Sequence, residues 1–307
     1  MRSRSVVDRA VGAVGERLVE IAPLQPVPGW TFGSHPRTVR AGARKVLWKF
    51  GAVSRVDRSI VTPWHNDLVV EQHLGNDLSR CLYVGGAFEP NELAFLADTL
   101  REGDVFVDVG ANEGLYTILA ASIAGRSGRV IAVEPSSRER GRLEANIARN
   151  ALTNVDVVPR ALDSGSGIVS LHIAEDRHAG HNTIGEFAYA GVDAAAVEEV
   201  PATSLDDLVT ESGVSSVRLV KIDVEGAETR VLAGATHTLE TYRPVLMLEL
   251  QDASLRSLGS STDEVLRTLA DFDYDAKWFS AVDGRPTLER GLSADGQNIV
   301  AVPKEQA

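Results

Sequence analysis

Two segments combine residue types at a spacing that builds a ligand site. The first is Asp104-Val-Phe-Val-Asp108-Val-Gly110-Ala-Asn112-Glu-Gly114, an apolar run ending in a glycine-containing turn. Gly110 and Gly114 remove side chains where a backbone must turn and where a ligand must approach closely. Asp108 lies near the carboxyl end of the run, the end at which open α/β sheets bind ligands. Its carboxylate suits an ammonium group and would repel a pyrophosphate. The second segment is Val130-Ile-Ala-Val133-Glu134-Pro135, whose acid follows Gly110 by 24 residues. An acid at about that separation accepts the ribose hydroxyls of a bound nucleoside. The dinucleotide fingerprint G-x-G-x-x-G is absent, because position 112 is Asn and position 115 is Leu. A glycine turn without a ligand explains the loop alone, but not the loop and the acid together.

Charged residues also gather at later strand ends. Lys221 and Asp223 alternate onto one side of an apolar run, Glu225 and Glu228 follow it, and Glu249 closes the next run. Such residues orient a hydroxyl, act as a base or hold a cation; the plainer reading is an ion pair with two acids complementing a helix N-terminus. His178 and His181 lie in a polar stretch, where a histidine is either a base or a solvated loop residue. His181 is the preferred candidate because Asn182 and Thr183 add hydrogen-bonding groups. His65, His73, Trp30, Trp48 and Trp64 read as structural or acceptor-side groups.

The elements that position these residues follow from periodicity. Apolar runs at Val105–Val109, Arg129–Val133, Val155–Val158, Val217–Asp223 and Pro244–Leu250 alternate with helical patterns to Ala124, over Arg138–Asn150 and over Glu225–Leu239. That alternation predicts parallel βαβ units, buried on both faces, in a doubly wound sheet. Tyr274–Phe279 and Asn298–Val302, around Asp283-Gly284, read as a terminal hairpin. Residues 159–203 exceed a simple connection and hold two strand-like runs, Ile168–Ile173 and Val197–Ala202. They are expected to cover the crevice as a lid. Upstream, residues 5–21 form an amphipathic helix, prolines and glycine then break the chain, and Ser59–Thr62, Asp67–Gln72 and Arg80–Val84 look like strands. A helix begins at Glu89, with Pro90 in its first turn.

Bulk properties narrow the function classes. The net charge is −12, yet residues 1–60 hold 11 Lys/Arg against 4 Asp/Glu. The remaining body is therefore strongly acidic, which argues against nucleic acid as a partner. The basic leader is either a solvated helix or a peripheral contact to an anionic surface. No apolar run has the length of a membrane span, residues 1–22 do not read as a signal peptide, and the single Cys81 fits a reducing cytoplasm.

With these residues in view, the chain resembles the FkbM-type methyltransferases, a class I S-adenosylmethionine-dependent group. The matching pieces are Asp108 to Gly114, Val133-Glu134-Pro135, Leu143-Glu-Ala-Asn146, Asn154 to Pro159, Ala161-Leu162, Thr203 to Asp207, Lys221 to Glu228 and Pro244 to Glu249. They cover roughly residues 80–250. The resemblance implies a class I Rossmann-like domain over 80–307, with a doubly wound, mostly parallel sheet, a C-terminal antiparallel hairpin and an N-terminal extension over 1–79. It implies O-methylation, often of a sugar or polyketide hydroxyl on a small-molecule acceptor such as a secondary metabolite or glycolipid. Asp108, Gly110, Asn112, Gly114, Glu134, Ala161, Leu162 and Asp223 would surround S-adenosylmethionine. Lys221, Asp223, Glu225 and His181 would serve the transfer. Asp223 and Glu249 could supply oxygens to Mg²⁺, though a metal-free site is the favoured reading. A nicotinamide oxidoreductase and a non-catalytic binding protein are the competing classes.

Overall fold

The computed structural model describes residues 15–31, 37–54, 59–187, 191–289 and 297–306. Most of the amphipathic helix expected over residues 5–21 lies outside them. The chain runs α1 (Val39–Ser54), β1 (Ser59–Pro63), β2 (Val69–His73), α2 (Pro90–Thr99), β3 (Val105–Val109), α3 (Leu115–Ala124), β4 (Arg129–Val133), α4 (Ser137–Arg149) and β5 (Val155–Val158). The insertion gives β6 (Ala161–Leu162), β7 (Gly167–Ala174) and β8 (Ala194–Thr203). There follow α5 (Leu205–Ser212), β9 (Leu219–Ile222), α6 (Glu228–Ala233), α7 (Thr236–Thr241), β10 (Val245–Leu250), α8 (Asp252–Ser257), α9 (Thr262–Asp271), β11 (Tyr274–Phe279), β12 (Pro286–Thr287) and β13 (Gln297–Pro303).

The main sheet has the order β12-β11-β13-β10-β9-β3-β4-β5. Strands β10, β9, β3, β4 and β5 are parallel, β13 joins β10 antiparallel, and β11 joins β13 antiparallel. This is the doubly wound sheet with a terminal antiparallel pair that the alternation of runs predicts. Its central strands are buried on both faces, as Phe106, Val107, Val130, Ile131, Leu219 and Val220 show. Helix α3 is apolar almost all round because the sheet lies on one side and α2 on the other. Chain order reverses between β3 and β9, and the crevice beyond their carboxyl ends is where such sheets take ligands.

Two expectations need correction. Arg80–Val84 is not a strand but a π-helical turn, with Cys81, Leu82, Tyr83 and Val84 all buried. A continuous apolar run marks burial, and burial around a whole helical turn looks the same in sequence. The helix expected over Glu225–Leu239 is two short helices, divided around Gly234. Gly234 sits against the Asp163 carbonyl with no room for a Cβ. Glu225 precedes both helices with φ at 52°, so it does not share a helical face with Glu228. Residues on the two sides of position 79 pack together. Asn146 of α4 and Asn150 at its C-terminal cap accept hydrogen bonds from the Glu71 and Val69 amides of β2 at 2.9 and 2.8 Å. Trp64, Leu68 and Val70 share a core with Leu93 and Phe106.

Candidate active site

The turn after β3 is shaped by one close approach. Gly110 has φ at 80°, and a Cβ there would lie 1.8 Å from the backbone oxygen of Asp223. The Gly110 and Ala111 amides both donate to the Val133 carbonyl at 3.0 Å, which ties the loop to β4. The Asn112 amide donates to one oxygen of Glu134 and the Ser136 amide to the other, both at 2.8 Å. Burial, followed by the charge of Glu139, pushes the Glu134 carboxyl up to about 8 despite those two amides. Gly114 begins α3 with φ at 90°, where a Cβ would meet Leu143.

An open crevice of about 650 Å³ lies over this loop. Gly110, Asn112, Glu134, Ala161, Leu162, Asp223 and Glu225 line it, together with Leu171 and residues 179, 180 and 182–184 of the insertion. The insertion strands form a small sheet, β6-β8-β7, and Thr183 is tied to it by a bridge to His172. Thr183 Oγ1 also donates to the Glu225 carbonyl at 2.9 Å, which joins the insertion to the turn after β9.

These residues fit a nucleoside ligand. Glu134 offers a buried carboxylate, Leu162, Leu171 and Ile184 supply apolar walls, and the buried Asn112 Oδ1 has no protein donor. Asp108 stands differently. It lies beneath the crevice rather than on its wall, accepting from Thr117 Oγ1 at 2.6 Å. It pairs in register with Lys221 across β3 and β9. Its Oδ1 is buried without a hydrogen-bond partner. Burial raises the Asp108 carboxyl above its ordinary range against the pull of Lys221.

Beyond Asp223 the charged residues converge. Lys221 Nζ donates to Asp223 Oδ2 at 2.7 Å and sits 4.8 Å from the centre of the Tyr116 ring. Burial opposes the Lys221 charge, but Asp223, Asp108 and Glu89 outweigh it and hold the ammonium protonated. Burial likewise opposes the Asp223 charge, yet Lys221 keeps that carboxyl below its usual range. Glu249 hydrogen-bonds Asp223, and burial with the charges of Asp223 and Glu225 holds its own proton well above the usual pKa. His181 Nδ1 meets Glu225 Oε1 at 3.0 Å. Burial would lower the His181 pKa, but Glu225 more than reverses it. His181's ring does not itself line the crevice; Glu225 stands between.

The other candidates resolve into support. His178 Nδ1 meets Asp77 at 2.7 Å, and Glu228 accepts from the Val224 and Gly226 amides, bracing the turn after β9. Trp48 donates to Asn76, and Trp64 is core. Sequence reasoning missed Glu89, Glu92, Tyr116 and Asn298, which line a second recess with Lys221, Asp223 and Glu249. Only Tyr116, two residues past Gly114, carried a local hint. Oxygens of Asp223, Glu225 and Glu249 lie within 4.8 Å of one another, as do ligating atoms of Asp77, His178 and His181.

Among the described residues no helix is long and apolar enough to cross a membrane. Comparison with known proteins gives the site its context. Hexuronic acid methyltransferase AglP of Haloferax volcanii is 30% identical over 164 residues, covering 52% of this chain and 61% of that protein. The 31-O-demethyl-FK506 methyltransferase FkbM of Streptomyces tacrolimicus is 30% identical over 161 residues, covering 44% and 60%. The chain thus spans about three fifths of the length of these curated relatives. A solved methyltransferase FkbM from Methylobacillus flagellatus KT aligns with a TM-score of 0.40 at 15% identity, over 72% of this chain and 54% of that one. The methyltransferase FkbM domain model matches residues 108–276, more than half of the chain. The chain therefore belongs to the FkbM family of S-adenosylmethionine-dependent methyltransferases.

Proposed function

We propose that the protein methylates a hydroxyl oxygen of a small molecule, a sugar-bearing metabolite, polyketide or glycolipid. The observation that carries this reading is the position of Asp223, which lines both the cofactor crevice and the second recess. A hydroxyl entering from the recess meets Asp223 at the edge of the crevice. Relatives of the chain agree in kind, since they include a 31-O-demethyl-FK506 methyltransferase and a 2-O-methyltransferase.

S-adenosylmethionine supplies an electrophilic methyl group on a sulfonium. Glu134 would hold the ribose hydroxyls, and Asn112, Ala161 and Leu162 the rest of the nucleoside. Asp223 accepts a hydrogen bond from the acceptor hydroxyl and fixes its direction, which is the larger share of catalysis in an in-line displacement. Lys221 keeps Asp223 ionised for that task. The His181–Glu225 pair takes the proton. Glu225 lines the crevice and accepts the proton at its carboxylate, while His181, hydrogen-bonded to it through Nδ1, shares the charge.

A labelled-methyl assay against a panel of hydroxyl compounds tests the reading. His181→Ala should lower turnover by about 10²-fold with S-adenosylhomocysteine affinity unchanged. Because the His181 pKa lies above 6.5, the wild-type rate should climb with pH above that value. Glu225→Gln should move the climb to lower pH. Wild-type turnover in His181→Ala would remove the residue from the reaction.

A further inference from the structure

The second recess, with room for about one water-sized group, opens on the side of Asp223 away from the crevice. Glu89, Glu92, Tyr116, Asp223, Glu249 and Asn298 contribute its polar wall, and Lys221 is its one basic group. Hydrogen bonding accounts for most of these groups. Tyr116 donates to Glu89 at 2.6 Å, and Asn298 donates to Glu89 at 3.2 Å and to Glu92 Oε1 at 3.0 Å. Lys221 is committed to Asp223. One atom is left over. Glu92 is 7% exposed, and its Oε2 is buried with no hydrogen-bond partner beside an open cavity. A buried acceptor without a donor is costly, so the site calls for a ligand that donates there.

We propose that the recess receives an ammonium group of the acceptor, so that the substrate is an amino-bearing hydroxyl compound such as an amino sugar. This rests on the reading that Asp223 marks the point of methyl transfer.

The argument is one of charge. Four carboxyls face a single ammonium in a poorly solvated space, and ionising all of them leaves three uncompensated negative charges. Without a ligand, protons solve the problem. Burial, then the charge of Glu89, pushes Glu92 up to about 8, and Glu249 stays protonated well above the usual range. A ligand ammonium does the same work and gives Glu92 Oε2 its missing donor. On binding, the Glu92 or Glu249 carboxyl loses its proton to solvent and the resulting carboxylate pairs with the ammonium. A neutral hydroxyl would satisfy Oε2 without displacing a proton. A uronate carboxylate would be repelled.

Calorimetry on the full chain saturated with S-adenosylhomocysteine separates these cases. The methyl glycosides of glucosamine, glucose and glucuronic acid are titrated at about pH 6.5, in two buffers of different ionisation enthalpy. The glucosaminide should bind about tenfold tighter than the glucoside and release protons, with the glucuronide weakest. Glu92→Gln should erase most of that preference while leaving S-adenosylhomocysteine affinity unchanged. The order of the three sugars on the wild-type protein decides the matter even if that variant folds poorly. Equal binding of glucosaminide and glucoside, binding without proton release, or no glucosaminide binding would each overturn the proposal. The binding order together with a complete failure of methyl transfer would overturn the hydroxyl-transfer reading and leave the ammonium site standing. Transfer to all three sugars without preference would do the reverse.

Discussion

The two sides of Asp223 are built differently. The cofactor wall is largely backbone: the Gly110 turn pressed against the Asp223 carbonyl, and the Asn112 and Ser136 amides on Glu134. These backbone contacts, Asp223 apart, fall between residues 110 and 136, and Leu162, Leu171 and Ile184 close the apolar side. The recess wall is side chain, drawn from the start of α2, from α3, β9, β10 and β13. One of its hydrogen bonds joins residues 209 positions apart. A backbone wall is fixed by the fold and serves one ligand. A side-chain wall can be rewritten without moving the sheet, so acceptor selection belongs there.

The contrast predicts the largest loss on the backbone side. Gly110→Ala puts a methyl group 1.8 Å from a carbonyl oxygen, in a conformation that L residues rarely adopt. Neither the loop nor β9 can yield without breaking the central β3–β9 pairing that holds both. We expect a stability loss of more than about 3 kcal/mol and no measurable S-adenosylhomocysteine binding. Urea denaturation and calorimetry check this. Wild-type values would mean that the turn is softer than its packing indicates.

The next effect lies beneath the recess. Lys221→Met removes the cation facing Asp223, Asp108 and Glu89, leaving buried carboxyls without a countercharge. Breaking a buried pair this way costs about 3–5 kcal/mol, a large share of a domain's stability. Glu249→Gln, by contrast, should leave the urea midpoint nearly unchanged, because burial and the charges of Asp223 and Glu225 favour the neutral acid there. Similar losses from both substitutions would erase the distinction between a charged floor and a neutral wall.

Glu134 sharpens the comparison on the cofactor side. Measured above pH 8, where the carboxyl is ionised, Glu134→Ala should weaken S-adenosylhomocysteine by about 1.5–3 kcal/mol, the value of hydrogen bonds to a charged acceptor. Its pKa of about 8 in the folded chain, against 4.5 for an ordinary glutamate, also fixes a sign. The folded chain holds this proton more tightly, so the contribution to stability is complete below 4.5 and disappears as pH rises through about 8. Denaturant midpoints measured without ligand should fall across that window, and Glu134→Gln should flatten part of the fall. An unchanged slope would show that the two amides hold Glu134 ionised.

How far the sequence foretold all this follows the same division. The parallel strands, the Gly110 turn and the acid at Glu134 were readable because period and spacing are local properties. Glu225 was placed on a helix because the sequence pattern continues through it. In the fold, Glu228 takes the Val224 and Gly226 amides into a turn, and the helix starts later. Glu89 and Glu92 read as an ordinary helix start. Nothing in their neighbourhood signals that Asn298 and Lys221 come from elsewhere to meet them.

The smallest expected effect is none. Oxygens of Asp223, Glu225 and Glu249 lie close enough to one another to hold a cation, and Mg²⁺ prefers such donors. Each position already has another occupant, however. Asp223 Oδ2 receives the Lys221 ammonium, Asp223 and Glu249 hydrogen-bond each other, and Glu225 is engaged by His181. A divalent ion would have to displace an ammonium and a proton and then dehydrate, in a space whose one lysine repels it. Exhaustive treatment with EDTA should therefore leave methyl transfer intact, and added Mg²⁺ should not raise it. Activity lost to EDTA and restored by Mg²⁺ would reverse the assignment. Asp223 would then act on the acceptor through a metal, and the recess wall would owe its carboxyls to that ion rather than to the charge of the acceptor.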